Sequence, residues 1–193
     1  IYLSLEGEVP YHRRKMNTGY IDRLSDIQHL NDFLLFDRPS REELLEGFNK
    51  ATDNGSVHPR LLATRDDFEA IIERCKTDEY LRSIVENIIA QANNDVNAAP
   101  ISYTFQDNLR LLNQGERLKD RMLRLGFAYQ ITGDQKYVDA AWKNLSVLST
   151  FPDINPGHPI DTGSFNNGMA IGYDWMYHGF TEEQRRIIVE NAM

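Results

Sequence analysis

The stretch that decides the fold is Phe165-Asn166-Asn167-Gly168-Met169-Ala170-Ile171-Gly172-Tyr173-Asp174-Trp175-Met176-Tyr177. Asp174 is its only charged residue, and its apolar side chains fall on most sides of a 3.6-residue helix. A helix apolar on most faces is buried on most faces, so residues 164–177 are predicted to form an inner helix. Its neighbours in sequence are amphipathic and belong outside it. Over 134–150 the stripe is Tyr137, Ala141, Leu145 and Leu148, and over 181–193 it includes Ile187 and Ile188. A further helix from Gln114 presents Leu118, Met122, Leu125 and Tyr129 on one face and stops at Thr132-Gly133. Asp134 can cap the helix that follows, and His178-Gly179 forms a second tight turn. The order is helix, tight turn, helix, long loop, helix, tight turn, helix. Short connections force antiparallel neighbours, so this is a pair of α-hairpins.

Helix signals continue toward the N-terminus. Ser40 with Glu43, Thr181 with Gln184 and, more weakly, Thr64 with Asp67 have capping-box spacing, with a hydroxyl placed to accept an otherwise unpaired N–H. Helices are predicted over 18–36, 41–53, 65–75 and 78–97. A turn is expected at Asp53-Asn54-Gly55 and an extended segment at Val57-His58-Pro59-Arg60-Leu61-Leu62, because Pro59 keeps His58 out of the helical region. Residues 97–113 read as a long loop. Strand-like alternation is confined to residues 1–5. The chain is therefore expected to be all-α, an incomplete (α/α) toroid of antiparallel helical hairpins. The hairpins are too unequal for a solenoid with a fixed period of about 34 residues.

Composition narrows the function. The 193 residues are 41% hydrophobic and 26% charged, which suits one globular domain with a sizeable core. No run approaches the roughly 20 apolar residues of a membrane helix. A net charge of −8 argues against nucleic acid as a partner, since such binding needs a basic face. The one dense basic cluster, His12-Arg13-Arg14-Lys15, reads as a solvated turn. Cys75 is the only cysteine, so neither an internal disulfide nor a multi-thiolate metal site can form. The five histidines show no HxH or HExxH spacing, and no metal or cofactor is expected. Of two N-x-S sequons, the one at Asn144 lies inside a predicted helix and reads as chance, whereas Asn54 falls in a turn.

Four segments together resemble the heparinase II/III-like and alginate-lyase-like polysaccharide lyases. They are His58-Pro59-Arg60-Leu61-Leu62 ahead of a capped helix, Phe127-Ala128-Tyr129-Gln130-Ile131-Thr132-Gly133-Asp134-Gln135-Lys136-Tyr137, Ile160-Asp161-Thr162 with Ala170 through Tyr177, and Phe180-Thr181-Glu182-Glu183-Gln184-Arg185. The resemblance covers residues 58–193, in the family's order. Residues 1–57 match no named segment and read as a helical lead-in. The resemblance implies the N-terminal part of an (α/α) toroid from a lyase that cleaves acidic, uronic-acid-containing polysaccharide by β-elimination. It also implies that the family's catalytic residues, the remainder of the toroid and a β-sandwich domain lie further along the parent protein, in cis. No catalytic residue is then assigned here, and these residues alone are expected to be inactive. Two other readings stand beside it: a glycoside hydrolase on an (α/α) barrel, and a non-catalytic helical-repeat interaction module.

Candidate substrate-binding residues come from the polar segment 151–167. His158, Asp161, Thr162, Asn166 and Asn167 crowd hydroxyl, amide and carboxylate groups beside an aromatic helix, as sugar sites do. Against this stands a purely structural role, with Asp161 or Thr162 as the helix N-cap. His158, Asp161 and Asn166 are expected to meet at the mouth of a cleft, where the helix's positive end would favour an anionic sugar group. Asp174 and His58 read instead as buried, hydrogen-bonded structural residues.

Overall fold

The computed structural model describes residues 40–192. The predicted helix over 18–36, the alternating segment 1–5 and the basic cluster 12–15 lie outside the described residues. Those residues form seven α-helices and no strand, so the chain is all-α as expected. The helices are α1 (Arg41–Ala51), α2 (Arg65–Arg74), α3 (Glu79–Asn97), α4 (Leu112–Thr132), α5 (Gln135–Leu145), α6 (Pro159–Trp175) and α7 (Glu182–Ala192), with a 3-10 helix at Ser146–Thr150. The chain divides into two units after Ala51, so α1 belongs to the first and α2 to α7 form the second.

Local chemistry sets the ends. At α1, Ser40 N–H donates to the Glu43 carboxylate at 2.7 Å and Glu43 N–H donates to Ser40 Oγ at 3.1 Å. Thr64 and Asp67 make the same reciprocal pair at α2, and Thr181 and Gln184 make it at α7. Gly133 ends α4 at φ 69°, a left-handed conformation that glycine adopts without a Cβ penalty, and its N–H reaches Tyr129 O at 2.7 Å. Asp134 then caps α5.

Two helices differ most from expectation. The predicted helix 134–150 is α-helical only to Leu145 and tightens into the 3-10 turn, with Leu148 still buried. More consequentially, α6 begins at Pro159 rather than near residue 164, and it ends at Trp175. A proline in the first helical turn gives up no hydrogen bond, because that N–H has no intrahelical partner.

Close approach orients α4 and α6. A Cβ added at Gly115 would lie 2.9 Å from Ser164 Cβ, one at Gly168 2.9 Å from Leu118 Cγ, one at Gly172 2.9 Å from Met122 Sδ, and one at Gly126 3.0 Å from Trp175 Cβ. The contacts advance together along both helices, so α4 and α6 are parallel and packed nearly backbone to backbone. The intervening α5 returns antiparallel: the turn joins its start to the end of α4, and Arg121 bonds Asn144 at 2.9 Å. α3, α5 and α7 share one direction. Tyr137 OH meets Asn93 and Ile101 N–H meets Asn144, while Gln135 reaches Gly179 O and Asn191 reaches Ser149.

The second unit is thus two layers, α4 and α6 against α3, α5 and α7. Leu118, Met122, Leu125, Tyr137, Ala141, Leu145, Phe165 and Met169 fill the core between them. A second cluster, Phe68 with Ile171 and Trp175, packs α2 against the opposite side of α4 and α6. α6 is covered on several sides but not all. It buries nine of its 17 residues, a share no larger than the six of 11 in α5, and Gly163, Asn166, Asn167 and Ala170 remain exposed.

Direction alone sorts the connections. Turns 133–134 and 176–181 lie at the C-terminal ends of α4 and α6, and the long segments 98–111 and 151–158 lie at their N-terminal ends. Buried Arg121 anchors the start of the first long segment through Ala99 O at 2.7 Å. The Asn144 side chain is spent on Arg121, Ile101 N–H and Ala140 O, and at 2% exposure it is closed to glycosylation.

Candidate functional site

The two long segments meet over the start of α6. Tyr103 OH donates to Asp153 Oδ1 at 3.2 Å, and the Tyr103 ring packs edge-on against Phe105 and Phe151. Asn155, at φ 61°, donates from its amide to Leu109 O at 2.9 Å and to Asp161 Oδ2 at 2.8 Å. The same Asp161 oxygen accepts Leu111 N–H at 2.6 Å. One buried carboxylate, 1% exposed, therefore ties both segments to the helix. Partial desolvation, with the Asp153 carboxylate beside it, pushes the Tyr103 phenol above its ordinary range.

The structure separates the five candidate residues. His158, not Asp161 or Thr162, is the N-cap residue of α6, and its side chain makes no capping bond. Asp161 sits in the first helical turn with its carboxylate turned inward, which removes it from any cleft mouth. Thr162 Oγ1 donates to Ile154 O and Asn155 O at 3.3 Å. Thr162 and the exposed Asn166 line an open pocket of about 420 Å³, whereas His158, Asp161 and Asn167 do not. Asn167 is exposed but lies about 100° further round the helix. The expected meeting of His158, Asp161 and Asn166 at one mouth is corrected accordingly. The cause is the early helix start, which puts Asp161 on the core side.

The remaining wall of the pocket comes from elsewhere in the chain. Leu148, Ser149, Asn191 and Ala192 from the second layer face Phe151, Asp153 and Ile154. Ser149 and Asn191 were not among the sequence candidates. They lie 42 residues apart, and only the packing of α7 against the 3-10 turn that follows α5 joins them. A second polar group missed by sequence reasoning is Glu116, held by Lys119 on its own helix and by Ser164 Oγ across the α4–α6 junction. Those two partners keep its carboxyl below the usual range.

The opposite end of α6 carries a different cluster. Asp174 Oδ1 meets His58 Nδ1 at 2.6 Å, and Asp174 Oδ2 accepts Arg60 N–H at 2.8 Å and Leu61 N–H at 2.7 Å. Trp175 Nε1–H donates to Leu61 O at 2.7 Å. The His58 ring stacks on Tyr177 with centroids 3.9 Å apart. Segment 57–62 is thereby fastened to the end of α6, and His58 and Asp174 are buried and paired, as their sequence setting suggests. Asp161 and Asp174 are thirteen residues apart on one helix, about 20 Å by helical rise. The roughly 5–10 Å between paired glycosidase carboxylates is out of their reach.

No group of histidine, cysteine or carboxylate side chains among the described residues could hold a metal ion. No described helix is long and apolar enough to cross a membrane. No family model matches the chain, and no curated protein matches it. Among the described residues, fold and site together define an all-helical, two-layer hairpin array with a pocket of mixed polarity between its second long connection, α6 and the end of α7.

Proposed function

We propose that this chain is the N-terminal helical part of a polysaccharide lyase of the heparinase II/III-like kind, acting by β-elimination on uronic-acid-containing polysaccharide. In this reading residues 58–193 are an incomplete (α/α) toroid, with α4 and α6 as inner helices and α3, α5 and α7 outside. The observation that carries it is the placement of the long connections. Segments 98–111 and 151–158 converge at one end of the parallel pair, and on the side of 151–156 that faces the 3-10 turn and the end of α7 a pocket sets hydroxyl and amide groups beside the Phe151 ring. Sugars are bound by such pairings of planar polar groups with ring faces.

Further support comes from the Asp174–His58 link. It joins two of the four segments that carry the family resemblance, His58-Pro59-Arg60-Leu61 and Tyr173-Asp174-Trp175. β-Elimination needs a group to neutralise the uronate carboxylate, a base for the C5 proton and an acid for the leaving oxygen. His58 is closed off by Asp174, Tyr177 and Gly55 O and is placed for none of these; in this reading the roles fall to residues further along the parent protein, as the resemblance implies.

A glycan array probed with residues 1–193 tests the binding part of the proposal. Retention on glycans drawn from uronic-acid polysaccharides, lost on Asn166→Ala, is the expected result. Absence of any glycan binding would favour a helical interaction module.

A further inference from the structure

The pocket beside Thr162 and Asn166 has a chemistry that the acidic polymer as a whole does not share. Its polar lining is Ser149, Asp153, Thr162, Asn166 and Asn191, and Leu148, Phe151 and Ile154 are among its apolar walls. Among the described residues Asp153 is the only ionisable one in the lining, and no described lysine, arginine or histidine lines it. The positive end of α6 offers no substitute for a cation, because the buried Asp161 carboxylate already occupies the first turn. A uronate carboxylate entering here would shed water beside Asp153 with nothing to balance its charge.

Uncharged hydroxyls and amides meet the opposite situation. Asn166 is exposed and makes no side-chain hydrogen bond among the described residues, so both its donor and its acceptor face outward. Asp153 uses Oδ1 for Tyr103 and for Asn155 N–H, leaving Oδ2 to accept a sugar hydroxyl. The volume of about 420 Å³ falls near the small end of the roughly 300–1,000 Å³ typical of ligand clefts. That is the scale of one or two rings rather than a long chain.

Resting on the polysaccharide-lyase reading, we propose that this pocket is a subsite for an uncharged pyranose unit and that Asp153 makes it reject uronate. On a substrate that alternates acidic and neutral sugars, it would set the register by accepting only the neutral unit.

The test is side-chain amide NMR on residues 1–193, following Asn166 and Asn191 during titration with N,N′-diacetylchitobiose, cellobiose or a diuronate. Saturable shifts with a neutral disaccharide and none with the diuronate are expected. Asn166→Ala should weaken neutral binding about three- to tenfold. Asp153→Asn keeps the Oδ1 acceptor and should admit the diuronate. Equal or stronger binding of the diuronate to the unaltered pocket would overturn the proposal and leave the lyase reading standing. Continued rejection after Asp153→Asn would overturn the role of Asp153. Silence of Asn166 and Asn191 with every neutral sugar would overturn the subsite itself.

Discussion

Asp174 and His58, 116 residues apart in the chain, meet at 2.6 Å in the interior, and each is less than a tenth exposed. The same carboxylate takes the N–H groups of Arg60 and Leu61, so one side chain holds an entire extended segment against the end of α6. Asp174→Ala leaves a buried imidazole and two backbone N–H groups without their acceptor. A loss of about 3–5 kcal/mol in denaturant unfolding is expected. A loss below about 1 kcal/mol would mean that solvent reaches this cluster.

The same pair gives the protein a pH signature. Burial lowers the His58 pKa from its ordinary value near 6.5; Asp174 opposes the shift and Arg60 adds to it. The folded state therefore binds this proton less readily than the unfolded chain does, and stability rises with pH through that window. The contribution is complete above the unfolded pKa and is lost as pH falls below about 6.5. His58→Gln should flatten the slope of unfolding free energy between pH 7 and pH 5, measured by urea titration. The carboxylates held low, Glu116 and Asp134 among them, lose their contribution only at more acidic pH.

Parallel packing of α4 and α6 depends on missing side chains. A methyl group at residue 168 would sit 2.9 Å from Leu118 Cγ and 3.0 Å from the Lys119 backbone nitrogen. The backbone contact cannot be relieved by a rotamer change, so Gly168→Ala should destabilise by about 1–3 kcal/mol despite the better helix propensity of alanine. Gly163→Ala is the control. It meets open space and should be neutral or slightly stabilising.

Asp161 acts on the loops rather than on a ligand in this structure. Asp161→Ala removes the acceptor for Leu111 N–H and Asn155, at about 1–3 kcal/mol. Hydrogen exchange should speed at the Leu111 amide and across 151–158 while the amides of central α4 stay protected. Unchanged exchange at Leu111 would refute the tie.

Much of this architecture was legible in local sequence. The caps at Ser40, Thr64 and Thr181 and the stop at Gly133 are short-range chemistry, each decided by residues within four positions. The helical class followed from the same signals, and so did the structural reading of His58 and Asp174. The start of α6 was misread because Pro156-Gly157-His158-Pro159 carries loop signals as well as a helix start. That error turned Asp161 from a first-turn residue facing the core into a loop residue facing solvent. Ser149 and Asn191 gave no signal at all, since their meeting depends on how α7 lies against the 3-10 turn after α5. The partners of Asp174 were hidden for the same reason.

β-Elimination is the activity proposed for the protein to which this chain belongs. The direct measurement is absorbance of the unsaturated uronate product when the complete natural reading frame acts on alginate, heparin, heparan sulfate and hyaluronan. A growing unsaturated-uronate signal is expected on at least one of these polymers, and none from residues 1–193 alone. New reducing ends without unsaturation would contradict it in favour of hydrolysis. Robust elimination by residues 1–193 alone would contradict the placement of the catalytic groups outside the described helices.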